Sequence, residues 1–237
     1  GRIMFNRMLC VNHGLRNGVV GGQGAWYGPP VRILITNDDG VANPGLAALE
    51  RVARRFGKPI VVAPAVDRSG VSQAITLTQP LCVRRQENDG EWYAIEGGTP
   101  TDCVYLGLHH VLDGKLPDLV LSGINPGPNL GWDVLYSGTA AGAREGVLQG
   151  MPAVAFSLVS GGKGYPFAEI EDWVEKVVRI TLEHPAPELT FYKVNLPNPR
   201  VGEVRGVRFT RLGHRYYSKE VEARTDPRGG EYYGGAV

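Results

Sequence analysis

The chain predicts an α/β fold. The expected architecture is a Rossmann-like three-layer sandwich, a mostly parallel sheet with helices on both faces, followed by a C-terminal extended hairpin arm. Three observations predict it. From Val31 onward, short runs rich in Val, Ile and Leu alternate with longer segments of helical period. Those short runs are apolar almost throughout, as strands covered on both faces are. Beyond Arg200 the alternation gives way to short polar strands and turns.

Each element has its own signal. Val31-Arg32-Ile33-Leu34-Ile35 reads as the first core strand. In "ANPGLAALERVARRF", Asn43 is an N-cap and Pro44 takes the first helical position. Leu46, Leu49, Ala53 and Phe56 then recur at helical spacing. "PIVVAP" is a second buried strand. "SQAITLTQPLCVRR" reads as one or two extended segments, with "EWYAI" returning. "TPTDCVYLGLHHVL" is a helix capped by Thr99, with Pro100 next and Asp102 at the capping-box position. "DLVLSG" is a strand, "TAAGAREGVLQG" a helix closed by Gly150, and "PAVAFSL" a strand. "FAEIEDWVEKVVRITLEH" is an amphipathic helix and "FYKVNLP" the last strand of the series. The arm carries two aromatic pairs, Tyr216-Tyr217 and Tyr232-Tyr233, separated by "TDPRGG". That turn between two extended segments predicts a hairpin.

The first thirty residues show neither helical nor strand periodicity and no signal-peptide pattern. They are expected to be a disordered or non-native extension whose removal changes nothing. The organisation is therefore 1–30 as extension, 31–200 as the α/β domain and 201–237 as an oligomerisation arm.

Composition narrows the function. With 25 basic and 24 acidic residues in 237, net charge is +1, and neither sign dominates. That balance argues against a general nucleic-acid or membrane-surface binder. No apolar stretch is long enough to span a bilayer. Cys10, Cys82 and Cys103 are odd in number and form no C-x-x-C, which suggests reduced thiols in a cytoplasmic protein.

In such a sheet, ligands bind beyond the carboxyl ends of the strands. After the first strand come Asn37, Asp38, Asp39 and Gly40. After the second comes "APAVDRSGVSQ", with Asp67, Arg68, Ser69 and Ser72. After "DLVLSG" comes "GINPGPNLGWDVLYSGT", with Asn125, Asn129, Asp133, Ser137 and Thr139. The donors are all oxygens, the chemistry of a hard divalent cation such as Mg²⁺ or Mn²⁺. Such an ion would offset the repulsion between two adjacent carboxylates. Taken singly, each feature also has an ordinary reading. "NDDG" is turn-forming, and "YSGT" opens a helix as an N-cap. His109, His110 and His214 show no metal-ligand spacing. No G-x-G-x-x-G follows the first strand, and no P-loop or G-x-S-x-G elbow is present.

The chain resembles the SurE survival-protein family of metal-dependent nucleotidases. The matching stretches are "RILITNDDG", "VVAPAVDRSGVSQAIT", "GTPTDCVYLGL" and "PDLVLSGINPGPNLGWDVLYSGTAAGAREG", in order. The resemblance implies a metal site at Asp38, Asp39, Ser69 and Asn125, with the two aspartates also catalytic. It implies a phosphate pocket at Ser137, Gly138 and Thr139, with Asn129 nearby. One divalent ion, Mn²⁺ or Mg²⁺, is implied as cofactor. The implied reaction is hydrolysis of nucleoside monophosphates by a 5'-nucleotidase, extending to 3'-nucleotidase and exopolyphosphatase activity. A homodimer or homotetramer is implied, with no membrane and no stable nucleic-acid complex. The family pattern begins at the position of Val31 and runs past Tyr233, so the arm is expected to be truncated. The rival reading is a non-catalytic nucleotide- or metal-binding module that has lost turnover.

Overall fold

The structure, a computed structural model, describes residues 3–7, 26, 28–214 and 221–235. In chain order the strands and α-helices are β1 (Ile3–Arg7), β2 (Val31–Thr36), α1 (Pro44–Arg54), β3 (Gly57–Pro64), β4 (Cys82–Arg85) and β5 (Glu91–Glu96). Next come α2 (Pro100–Leu106), β6 (Leu119–Pro126), α3 (Asp133–Tyr136), α4 (Gly138–Leu148) and β7 (Ala153–Leu158). The series ends with α5 (Glu171–Glu183), β8 (Tyr192–Leu196), β9 (Val207–Thr210), β10 (Val221–Thr225) and β11 (Glu231–Gly235).

A nine-stranded sheet has the order β4-β5-β3-β2-β6-β7-β8-β1-β9. The strands from β5 through β8 are mutually parallel, while β4 and β1 run antiparallel to their neighbours β5 and β8. Alternation along β2 explains the layers. Ile33 and Ile35 face one core with α1 and α5 residues such as Leu46, Leu49, Val174 and Val178. Leu34 faces the other, with Cys103 and Val104 from α2 and Ala140 and Ala143 from α4. Both faces are apolar, so the strands read as continuous apolar runs.

The helix starts behave as their sequences demand. The Asn43 side chain accepts from the Gly45 N–H at 2.7 Å, with Pro44 in the first turn. Thr99 and Asp102 form a reciprocal capping box. Such a cap contributes about 1 kcal/mol. Asp102 also accepts from the Thr76 N–H and hydroxyl, at 2.9 and 2.6 Å. That use of Thr76 explains one departure from expectation. Residues 72–81 form turns and bends rather than strands, because they are tied to α2.

Three further departures concern the ends of the domain and one short helix within it. Residues Ile3–Arg7 are not without structure: β1 pairs with β8 on one side and with β9 on the other. The single-turn α3, too short to give a periodic signal, was not expected either. Beyond Arg200 the chain is not all arm, since β9 belongs to the main sheet. The hairpin itself is present. β10 and β11 form a separate antiparallel pair, closed where the Asp226 N–H donates to Gly230 O at 2.8 Å. Tyr216 and Tyr217 lie outside the described residues.

Deleting residues 1–7 tests the role of β1. It removes the strand between β8 and β9, so the melting temperature should fall, by roughly 2–4 °C for each ~1 kcal/mol lost. Differential scanning calorimetry measures it. An unchanged melting temperature would show that β1 adds no stability.

Candidate active site

The strand order reverses at β2. The chain steps outward from β2 to β3 and β5, then returns to β6 on the other side of β2. A crevice opens where two neighbouring parallel strands send their connections opposite ways. At the carboxyl ends of β2 and β6 stand Asn37 to Gly40 and Asn125. The loops around them are tied together. The Arg68 N–H donates to Asp38 O at 2.6 Å, and the Ser72 N–H donates to Tyr136 O at 2.9 Å. Ser72 Oγ also donates to Leu135 O at 2.6 Å.

Asp38 is buried against the start of α4. Thr139 Oγ1 donates to Asp38 Oδ1 at 2.5 Å. A Cβ built on Gly138 would lie 2.6 Å from Asp38 Cβ, so only glycine lets the helix come this close. Burial pushes the Asp38 carboxyl up from its ordinary value, against hydrogen bonds from the Thr139 side chain and backbone. Asp39 is half-buried, and its carboxyl is pushed up to about 8. Burial is the largest cause there, followed by the charges of Asp38 and Asp67. Its Oδ2 is buried without a hydrogen-bond partner, as is Asn37 Oδ1.

The remaining predicted residues fall into two sets. Ser69 lies on the exposed loop after β3, its N–H donating to Asp67 Oδ1 at 2.6 Å. Asn125 ends β6 beyond an irregularity in the β6–β7 pairing, and its Nδ2 donates to Gly127 O at 2.7 Å. Ser137 is the N-cap of α4, accepting from the Ala140 N–H at 3.0 Å. Asn129 is buried further along the crevice, held by residues that the sequence reading missed. Its Nδ2 donates to Ser157 Oγ at 3.0 Å, and its N–H donates to Asn195 Oδ1 at 3.1 Å. Beside them is the fully buried Lys193, whose ammonium is pushed down to about 7 by burial while Asp38 pulls it upward. The available signal was Lys193 and Asn195 in "FYKVNLP", two polar residues inside a strand that is otherwise core.

The crevice suits a hard cation. Two crowded carboxylates with raised pKa values, one carrying an unpartnered buried oxygen, lack positive charge. Among the described residues no three His, Cys, Asp or Glu side chains group as ligands. Neutral oxygens such as those of Ser69 and Asn125 would therefore complete the set, as oxygen-seeking divalent ions accept.

The chain is similar to known proteins over most of its length. The family model described as "Survival protein SurE" matches residues 33–219. A protein named 5'-nucleotidase SurE from Aquifex aeolicus is 44% identical over 200 residues, covering 84% of this chain and 78% of the relative. One of the same name from Anaeromyxobacter sp. is 50% identical over 205 residues, covering 86% and 77%. The crystal structure of SurE protein from Aquifex aeolicus superposes with a TM-score of 0.76 at 43% identity, covering 86% of this chain and 82% of that one.

The raised Asp39 pKa sets a stability test. With a folded value of about 8 against 3.8 otherwise, the folded state binds the proton more tightly. Metal-free stability should then fall as pH rises from ~4 to ~8. Asp39→Asn mimics the protonated form. It should raise the metal-free melting temperature at pH 7 and flatten that pH dependence. A lower melting temperature at pH 7 would mean that the Asp39 charge is satisfied in the fold.

Proposed function

The chain belongs to the SurE survival-protein family, and from that premise we propose that it hydrolyses nucleoside monophosphates to nucleoside and phosphate. It is a phosphoric monoester hydrolase of the 5'-nucleotidase class. The observation that carries the reading is the Asp39 carboxylate oxygen, buried and unpartnered beside Asp38, in the crevice that α4 enters by its N-terminus.

In this reading Asp38, Asp39, Ser69 and Asn125 hold one divalent ion, Mn²⁺ or Mg²⁺. When bound, it polarises the phosphoryl group and makes water more acidic. The chain's own residues do the rest. Ser137, Gly138 and Thr139 form the N-terminal end of α4, whose partial positive charge suits an anionic phosphoryl group. That end is fixed before substrate arrives, so it stabilises developing charge with little reorganisation. Asn129 lines the phosphate edge. Asp38, oriented by the Thr139 hydroxyl, is the carboxylate we assign to accept the proton of the attacking water. We extend the substrate range to 3'-nucleotides and polyphosphate on family resemblance alone.

Phosphate release from a nucleoside monophosphate in the presence of manganese tests the reading. Asp39→Asn should reduce it about 10²-fold or more while circular dichroism stays unchanged. Binding without phosphate release in the unaltered chain would favour the non-catalytic module. Gly138→Ala drives a methyl group into Asp38, and a displacement of that size should cost about 10²-fold in kcat. Full activity in Gly138→Ala would show that the close approach of α4 to Asp38 has no part in turnover.

We also propose a homodimer or homotetramer built through the hairpin arm, and a cytoplasmic setting. Support for the arm is its exposure: Val221, Tyr232 and Tyr233 are 67%, 50% and 64% accessible. A two-stranded hairpin is at best marginally stable by itself, so a second subunit is the support we assign. Support for the setting is that Cys82 and Cys103 are both free thiols. Light scattering on the full chain and on a version ending at His214 decides the assembly. An oligomer that becomes monomeric on truncation is expected, and a monomer in both cases would sink the assignment.

A further inference from the structure

Lys193 has no part in the chemistry above, yet it is fully buried in β8, where every residue is buried. A buried ammonium is tolerated only where acceptors surround it. Lys193 Nζ has three, Ser157 Oγ at 2.7 Å, Val194 O at 3.1 Å and Asn195 Oδ1 at 3.4 Å. Two of those acceptors are the atoms that hold Asn129. Ser157 Oγ accepts from Asn129 Nδ2, and Asn195 Oδ1 accepts from the Asn129 N–H. Asn195 Nδ2 completes the clamp by donating to Asn129 O at 3.1 Å.

The register makes this arrangement more than a chance contact. Ser157 stands beside Asn125 across the β6–β7 pairing, and Asn195 beside Ser157 across β7–β8. A polar row therefore crosses three buried strands at one level near their carboxyl ends. A hydroxyl and a side-chain amide can each rotate or flip to suit a partner. A cation that donates to both allows only the orientation with their oxygens toward it. In that orientation Ser157 Oγ and Asn195 Oδ1 both face donors, and Asn129 supplies two more.

We propose that Lys193 is a positioning residue for the phosphate edge of the crevice. Its ammonium fixes Ser157 and Asn195, and through them the backbone and side chain of Asn129. Lys193 touches no reacting group itself. The inference rests on the reading of Asn129 as a phosphate-binding residue. An apolar residue at 193 would fill the space but would leave the Ser157 hydroxyl free to turn and Asn195 held only through its bonds to the Asn129 backbone.

Steady-state kinetics on the full chain with manganese and a nucleoside monophosphate test it. Lys193→Met keeps the volume and removes the donors. It should raise KM about tenfold with kcat nearly unchanged, the signature of lost uniform binding worth ~1.4 kcal/mol. Asn129→Ala should raise KM similarly. In the Asn129→Ala background, Lys193→Met should raise it no further, because the two act through one contact. Lys193→Gln, an uncharged donor, should fall between, and it carries the comparison if Lys193→Met does not fold. A lower melting temperature with unchanged KM, or KM effects that multiply in the double variant, would overturn the positioning role alone. An unchanged KM in Asn129→Ala would overturn both that role and the reading of Asn129.

Discussion

Two adjacent carboxylates at the end of a strand covered on both faces are the constraint around which this molecule is arranged. Asp38 cannot reach bulk water, and Asp39 reaches it only in part. Burial and mutual repulsion both disfavour their charged forms. The fold answers on one side with the N-terminus of α4. The Thr139 hydroxyl donates to Asp38, and Gly138 lets the helix approach within contact of its side chain. A helix N-terminus carries partial positive charge, so its placement offsets part of the cost. That placement requires the surrounding loops to be held. Arg68 is tied to the Asp38 carbonyl, and Ser72 to the carbonyls of Leu135 and Tyr136. Pair, helix and loops form one hydrogen-bonded unit.

The answer is incomplete, and the incompleteness is informative. Asp39 Oδ2 has no partner, and the charges of Asp38 and Asp67 bear on it. Unpaired buried polar atoms are few in native proteins and concentrate where function requires them. Among the described residues, no other acidic side chain has a buried oxygen without a partner. On the outer face, Arg55 meets Glu171, Asp172 and Glu175 at 2.8, 3.3 and 2.7 Å. Those exposed pairs contribute little each. Stability comes from the two apolar layers, which leave the crevice free to keep an unfavourable charge.

What was legible in the sequence was whatever is decided locally. Asn43-Pro44 and Thr99-Pro100-Asp102 mark helix starts because caps are made within a few residues. The runs of β2, β6 and β7 are apolar because both faces are covered. The acidic pair stood out because it breaks the local rule for the end of a core strand. Features set by distant partners were not legible. "IMFNR" is too short to announce β1, whose place is fixed by β8 and β9 far along the chain. Residues 72–81 have strand-like composition, yet Thr76 is drawn to Asp102 and Ser72 to the end of α3. Lys193 and Asn195 look like outward-facing residues of an edge strand. The sheet order makes β8 an interior strand between β7 and β1 rather than an edge, and both residues are buried there.

That sheet order also sorts the polar groups by sign. On β2 and its loop are acceptors without enough donors, Asp38 and Asp39. Moving across β6 to β7 and β8, neutral amides and a hydroxyl appear, and then the Lys193 ammonium. The crevice thus has a negatively charged end and, joined to it by the row Asn125, Ser157 and Asn195, an end backed by the buried Lys193 charge. A phosphate monoester accompanied by a divalent cation has the complementary division, positive at one end and anionic oxygens at the other. Neither a bare cation site nor a bare anion site needs both ends. In the function proposed here, the switch at β2 brings them together, since it opens the crevice to residues from strands on both sides.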